Sequence, residues 1–140
     1  MKIYIASSWK NQHAVEMLTA LLRKNGHTVI SWIENNYGEN PDAAKNTGKF
    51  NFEEWVLTEN AQRCFDFDTT GASTCDLLIY VGPAGKDAAA ECGIAWAKGI
   101  PVIGLYAKGE DFGLMRKMFS EWFTRYTDLV KHVESLFALA

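Results

Sequence analysis

Apolar positions along this chain fall into two patterns, short continuous runs and longer stretches with helical spacing. Five runs predict strands: residues 2–6, 27–32, 77–81, 102–106 and 122–126. The run at 77–81 contains no charged residue, as expected of a strand covered on both faces. Between 11 and 25 apolar residues recur at Ala14, Val15, Leu18, Leu21 and Leu22, which is helical spacing with a polar far side. Gly26 then suits a left-handed C-terminal cap. A small-residue helix is predicted over 86–98, closed in the same way by Gly99. Asn51 with Glu54 three residues on forms a capping-box-like start, and that helix is predicted to reach Cys64 or a little beyond. A short helix over 113–119 and a C-terminal helix over 128–137 complete the elements. Residues 34–49, dominated by Asn, Gly, Pro, Asp and Lys, read as one long irregular connection of the kind that serves as a lid or moves.

Strands alternating with helices imply crossover connections and a parallel sheet. With crossover handedness fixed, the expected architecture is a doubly wound five-stranded α/β sheet in three layers, with the flavodoxin-like order 2-1-3-4-5. Its switch point falls between strands one and three. The residues just past those strands, Ser7 to Trp9 and Gly82 to Glu91, are therefore expected to line one cleft.

At 140 residues the chain fits a single domain. A net charge of −3 and the absence of a basic run argue against a nucleic-acid polymer as partner. The opening MKIYIASSWK holds an apolar run too short for a signal segment or a membrane span, so a cytoplasmic protein is expected. Cys64, Cys75 and Cys92 have no metal-ligand spacing and read as reduced thiols. Cys92, beside Glu91, reads more readily as a small buried filler than as a nucleophile. His13, His27 and His132 lie far apart and receive no role; no metal or cofactor is expected.

Candidate chemistry centres on Glu91. It lies in an otherwise apolar helix, one turn after Asp87, and residues four apart share a face. Such like charges cost a few tenths of a kcal/mol. A solvated pair near the helix start is one reading. A site is the other, because Ala88, Ala89, Ala90 and Gly93 leave room and the helix follows a strand's carboxyl end. Ser7 and Ser8 precede a helix start, where hydroxyls and amides bind anions, or where Ser8 acts as a plain N-cap. ASSWKN is neither a dinucleotide fingerprint nor a P-loop. Taken singly, Tyr4 is a core aromatic, Asp66 and Asp68 are helix-end acids, and Lys86 and Arg116 are either phosphate contacts or surface cations.

Taken together, KIYIASSW, Asp68 eight residues before Asp76, and AAAECGIAWAKGIPVIG resemble the nucleoside 2-deoxyribosyltransferase family, which includes the deoxynucleoside 5'-monophosphate N-glycosidases. The resemblance covers most of the chain and is most specific in E-x-G-x-A-x-x-x-G-x-P-V, from Glu91 to Val102. It implies an enzyme that cleaves the N-glycosidic bond of (deoxy)nucleosides or their 5'-monophosphates and passes the sugar to another base or to water. It implies Glu91 as nucleophile, Tyr4 as its orienter, and Asp68 as the contact to the sugar hydroxyl or leaving base. The chemistry is coherent: a facing carboxylate captures an oxocarbenium-like carbon, and a second acid, Asp68 or Asp87, protonates the departing base.

Ser7, Ser8, Trp9, Gly82 and Gly85 are the expected substrate contacts in the cleft. Gly85 stands where the family's transferases carry a further acid, six residues before the nucleophile. The nucleotide hydrolases carry serines there and in a partner-donated loop; here that loop is FGLMRKMF, without serine, and Met115 and Arg116 are its candidate substrate contacts. A homodimer or larger assembly is implied, with Met115, Met118 and Phe119 as interface or core. Two other readings use the same cleft: a nucleotide-sensing module without turnover, and a glycohydrolase of the nicotinamide type, which also needs a glutamate.

Overall fold

The protein is described by a computed structural model covering residues 1–37 and 51–139. In chain order the elements are β1 (Lys2–Ala6), a 3-10 turn (Trp9–Asn11), α1 (Gln12–Lys24), β2 (Thr28–Ile30) and α2 (Trp32–Asn36). There follow α3 (Phe52–Trp55), α4 (Glu59–Thr74), β3 (Leu77–Val81), α5 (Lys86–Ala97) and β4 (Val102–Leu105). A second 3-10 turn (Leu114–Met118), β5 (Glu121–Phe123) and α6 (Tyr126–Leu139) close the chain. The sheet has the order β2-β1-β3-β4-β5, and every pairing is parallel, as the alternation of elements predicts.

Strands β1 and β3 run through the middle of the core. Ile3 to Ala6 and Leu77 to Val81 are buried, with Tyr4 paired to Leu78 and Ile5 to Ile79 in register. Each large apolar side chain covered this way stabilises the fold by about 1.5–3 kcal/mol. The α4 and α5 helices pack together over the sheet face that carries Tyr4. The α1 and α6 helices cover the other face and meet where Asn25 and His27 bond to Glu134. Gly26 and Gly99 adopt positive φ of 95° and 76°, the left-handed caps expected of them. Among the described residues no helix is long and apolar enough to cross a membrane.

The elements depart from expectation at several places. β2 ends at Ile30 rather than at 32, because the Ser31 hydroxyl accepts from the Glu34 amide and starts α2 there. Trp32 therefore opens a helix, and its indole donates to the Ile5 carbonyl at 2.6 Å. Residues 34–36 of the stretch expected to be irregular are thus helical, while 38–49 lie outside the described residues.

The helix starting after Asn51 is short. A second one, capped by Thr58 accepting from the Ala61 amide, runs on to Thr74 and absorbs FDFDTTGAST. Hydroxyls of Thr69, Ser73 and Thr74 fold back onto carbonyls one turn earlier, so these weak helix formers cost little once Ala61, Cys64, Gly71 and Ala72 are buried. At the far edge, β4 stops at Leu105, β5 is Glu121–Phe123, and α6 begins at Tyr126, two residues earlier than expected. The helix expected over 113–119 is the 3-10 turn Leu114–Met118.

Candidate active site

Tyr4 points from the middle of β1 toward α5, and its hydroxyl donates to Glu91 Oε2 at 3.0 Å. Both are buried, Tyr4 at 0% and Glu91 at 7% exposure, although 87 residues separate them. Two neighbours crowd the pair. The first is Gly71 on α4: a Cβ there would lie 2.5 Å from Tyr4 Cδ2, so the helix approaches the ring only because the side chain is missing. The second is Asp68, one turn earlier on α4, half-buried and lining the same cleft as Glu91.

Electrostatics follow from this crowding. Glu91 is held well above the usual carboxylate range, first by burial, then by the charge of Asp68; the Tyr4 hydroxyl pulls the other way and Asp87 adds to the rise. Asp68 is pushed up to about 6, again mainly by burial, with Asn36 donating against the rise and Asp87 adding to it. Asp87 itself is exposed in the first turn of α5, at the rim. Burial also pushes the Cys92 thiol up to about 12, which fits a filler and not a nucleophile.

The cleft, about 390 Å³, opens beside these carboxyl groups and is of the size that holds a small ligand. Trp9, Trp32, Phe52 and Trp55 line it, and Trp9 meets Trp32 edge-to-face at 5.1 Å. A second hollow of about 400 Å³ shares Asp68, Asp87 and Glu91 and continues over Val56, Phe65 and Ile94. Aromatic walls facing acids suit a planar ring joined to a group that becomes cationic. Among the described residues no group of three His, Cys, Asp or Glu side chains is set to hold a metal ion.

The other expected contacts divide. Ser7, Ser8, Trp9 and Gly85 line the cleft with Glu91, Asp68 and Asp87. The Ser7 hydroxyl is committed to structure: it donates to the Val81 carbonyl at 2.6 Å and accepts from Asn11 at 3.1 Å, stitching the ends of β1 and β3 together. Ser8 caps nothing, and its buried hydroxyl has no partner among the described residues. Gly82 lines neither hollow; the Glu110 carboxylate packs against it, held by Tyr80 at 2.5 Å and the Ala107 amide at 3.0 Å. Met115 and Arg116 lie elsewhere, on the second 3-10 turn, where the Arg116 guanidinium stacks over Trp122 at 3.8 Å.

No family model matches the chain, and no curated protein matches it. Solved structures do match. One is a 2-deoxyribosyltransferase from the psychrotolerant bacterium Bacillus psychrosaccharolyticus, 24% identical, spanning 92% of this chain and 90% of that one, with a TM-score of 0.71. Another is a CMP N-glycosidase of Clostridium botulinum, 15% identical, spanning 96% of this chain and 99% of that one, with a TM-score of 0.60. The fold is theirs. Both are proteins of the kind that the sequence resemblance names.

Sequence reasoning missed several residues of this cleft. Asn36 bonds to Asp68 from a stretch read as irregular. The apolar run 27–32 predicts Trp32 in a strand, and Phe52 and Trp55 open a helix without a chemical signature. Gly71 had a usable signal, because a lone glycine within a helix marks a close approach; the helix itself was predicted to end too early for that signal to be read.

Proposed function

We propose that this protein cleaves the N-glycosidic bond of deoxynucleosides or their 5'-monophosphates and passes the deoxyribosyl group to another base or to water. The observation that carries the reading is the buried Tyr4–Glu91 hydrogen bond at 3.0 Å under an aromatic-walled cleft, with Asp68 beside it. The names of the two fold neighbours, a 2-deoxyribosyltransferase and a CMP N-glycosidase, support the same class of chemistry.

In this reading Glu91 is the nucleophile. Its carboxylate attacks the anomeric carbon as the carbon–nitrogen bond breaks, and the electron pair of that bond leaves on the base. Glu91 must be ionised to do so, while burial and Asp68 favour its protonated form. Two features return it to the anion: the Tyr4 O–H that it accepts, and the positive charge growing on the sugar carbon. The proton retained by the crowded acids is then available to the departing base, with Asp68 as donor and Asp87 at the rim as a second acid. Attack by water or by a new base on the sugar–Glu91 ester completes the cycle, and Asp68 recovers a proton from that nucleophile. Trp9 and its aromatic neighbours stack the base, and the Ser8 hydroxyl serves the sugar or its phosphate.

Met115 and Arg116 lie outside this chain's own cleft, so a role for them at the substrate requires a second copy to supply them. Their turn is apolar and basic, Leu114 and Met115 being exposed beside Arg116 and Lys117, and the cleft is acidic and aromatic. That complementarity supports a homo-oligomer with shared sites.

The test is to incubate the protein with a panel of deoxynucleosides, deoxynucleotides and NAD, with and without free base, and to follow base release chromatographically. Release is expected from at least one deoxynucleoside or its monophosphate and is expected to vanish in Glu91→Ala. A new nucleoside formed only with free base marks a transferase. Binding without release across the whole panel would sink the enzymatic reading in favour of a sensor, and release from NAD alone would favour a glycohydrolase of the nicotinamide type.

A further inference from the structure

We propose that Asn36 is a positioning residue that clamps the Asp68 carboxyl group and leaves it free to exchange its proton. Asn36 ends α2, is 6% exposed, and forms part of the cleft wall. Its Nδ2 donates to both carboxylate oxygens of Asp68, at 3.2 and 3.4 Å. Its Oδ1 accepts from Asn35 Nδ2 at 2.5 Å, so the amide has one orientation that satisfies both neighbours.

The short helix that carries it is anchored by contacts other than the Asn36–Asp68 pair. Ser31 caps its start, Trp32 donates to Ile5 on β1 at 2.6 Å, and Glu34 pairs with Arg23 on α1 at 2.5 Å. A five-residue helix has little stability of its own, and these anchors supply the rigidity that a clamp needs.

The chemistry of the neighbours explains why an amide suits this place. The titratable or charged groups around Asp68 are Tyr4 from β1, Asp87, Glu91 and Lys86 from α5, and Cys64 one turn back on α4. Among the described residues no cation is paired with Asp68. An arginine or lysine at position 36 would pin the carboxyl in its charged form, and an apolar residue would leave it uncharged and free to rotate. A neutral donor fixes the direction of the group and favours the anion only modestly. The catalytic meaning of the clamp rests on the function proposed above; the clamp itself does not.

The experiment is a carbon-13 NMR titration of aspartate-labelled protein, with the Asp68 carboxyl signal assigned by its absence from Asp68→Asn. Asn36→Ala, Asn36→Ser and Asn35→Ala are compared with the native chain, and their folding is checked by near-ultraviolet circular dichroism. In both Asn36 variants Asp68 is expected to titrate roughly one pH unit higher. Asn35→Ala, at an exposed position, is expected to move it the same way by less. In the base-release assay the limb of the pH profile that coincides with Asp68 moves with it, and kcat falls about tenfold while KM stays within about twofold. An Asp68 titration unmoved in all three variants overturns the proposal. If the native protein releases no base from any substrate, the functional reading falls, and the titration still decides the clamp.

Discussion

A single phenolic O–H carries a large share of the proposed chemistry. Tyr4→Phe keeps the packing against Gly71 and removes only the donor to Glu91. Loss of one preorganised donor to a reacting oxyanion costs on the order of 100-fold in kcat. The expected result is that loss with KM little changed, measured by steady-state base release. Asp68 makes a prediction about stability. Its carboxyl titrates near 6 in the folded chain against an ordinary 3.8, so the folded state binds the proton more tightly. Its favourable contribution is therefore complete below about 4 and is lost as pH rises through about 6. Asp68→Asn removes that dependence. The variant is expected to melt a few degrees above the native protein at pH 8, with the gap closing at pH 4, by calorimetry. Glu91 stands out in the sequence as an acid in an otherwise apolar helix, whereas Tyr4 and Asp68 are joined to it there only by the family resemblance; the structure sets the three side by side. Asn36 does not stand out: an asparagine in a polar stretch has no periodicity, and only the turn of α2 brings it to Asp68.

The element that matters most for the site is α4, which runs on to Thr74, well past the end that the sequence predicts. Periodicity fades through FDFDTTGAST because threonine, serine, aspartate and glycine prefer caps and turns, and burial against β1 and α5 overrides that preference. The consequence is measurable at Gly71. Gly71→Ala inserts a methyl group into the Tyr4 ring, and either the helix or the ring must shift. A cost of about 1–3 kcal/mol is expected from chemical denaturation, together with a fall in kcat as Tyr4 leaves Glu91. Thr58→Ala is the control on the same helix. It removes the cap to the Ala61 amide without touching Tyr4, Asp68 or Glu91, and is expected to cost about 1 kcal/mol with activity retained below the melting range. β1, β3 and α5, by contrast, matched their predicted spans closely, since runs buried on both faces and a glycine-capped helix leave little ambiguity.

At the scale of the whole molecule, the strand order and a cleft at the switch point were expected from the alternation of elements, the handedness of crossovers and the flavodoxin-like winding, before any side chain was placed. What handedness could not supply is the far side of the cleft. Met115 and Arg116 are separated from it within one chain, and Met115 is 57% exposed. If a second copy brings this turn to the cleft, Glu91 and Arg116 of one site come from different chains. Glu91→Ala and Arg116→Ala would then each be impaired, Arg116→Ala most with phosphorylated substrates. Mixed in equal amounts and allowed to exchange, half of the dimers would be hybrid, and each hybrid would carry one intact site beside one doubly defective one. About one quarter of native activity is therefore expected to return on mixing, for a two-fold assembly with isologous contacts. Sedimentation velocity of the native chain would show the dimer directly. A site built within one chain, or an Arg116 with no part in it, predicts no recovery beyond the average of the two separate variants.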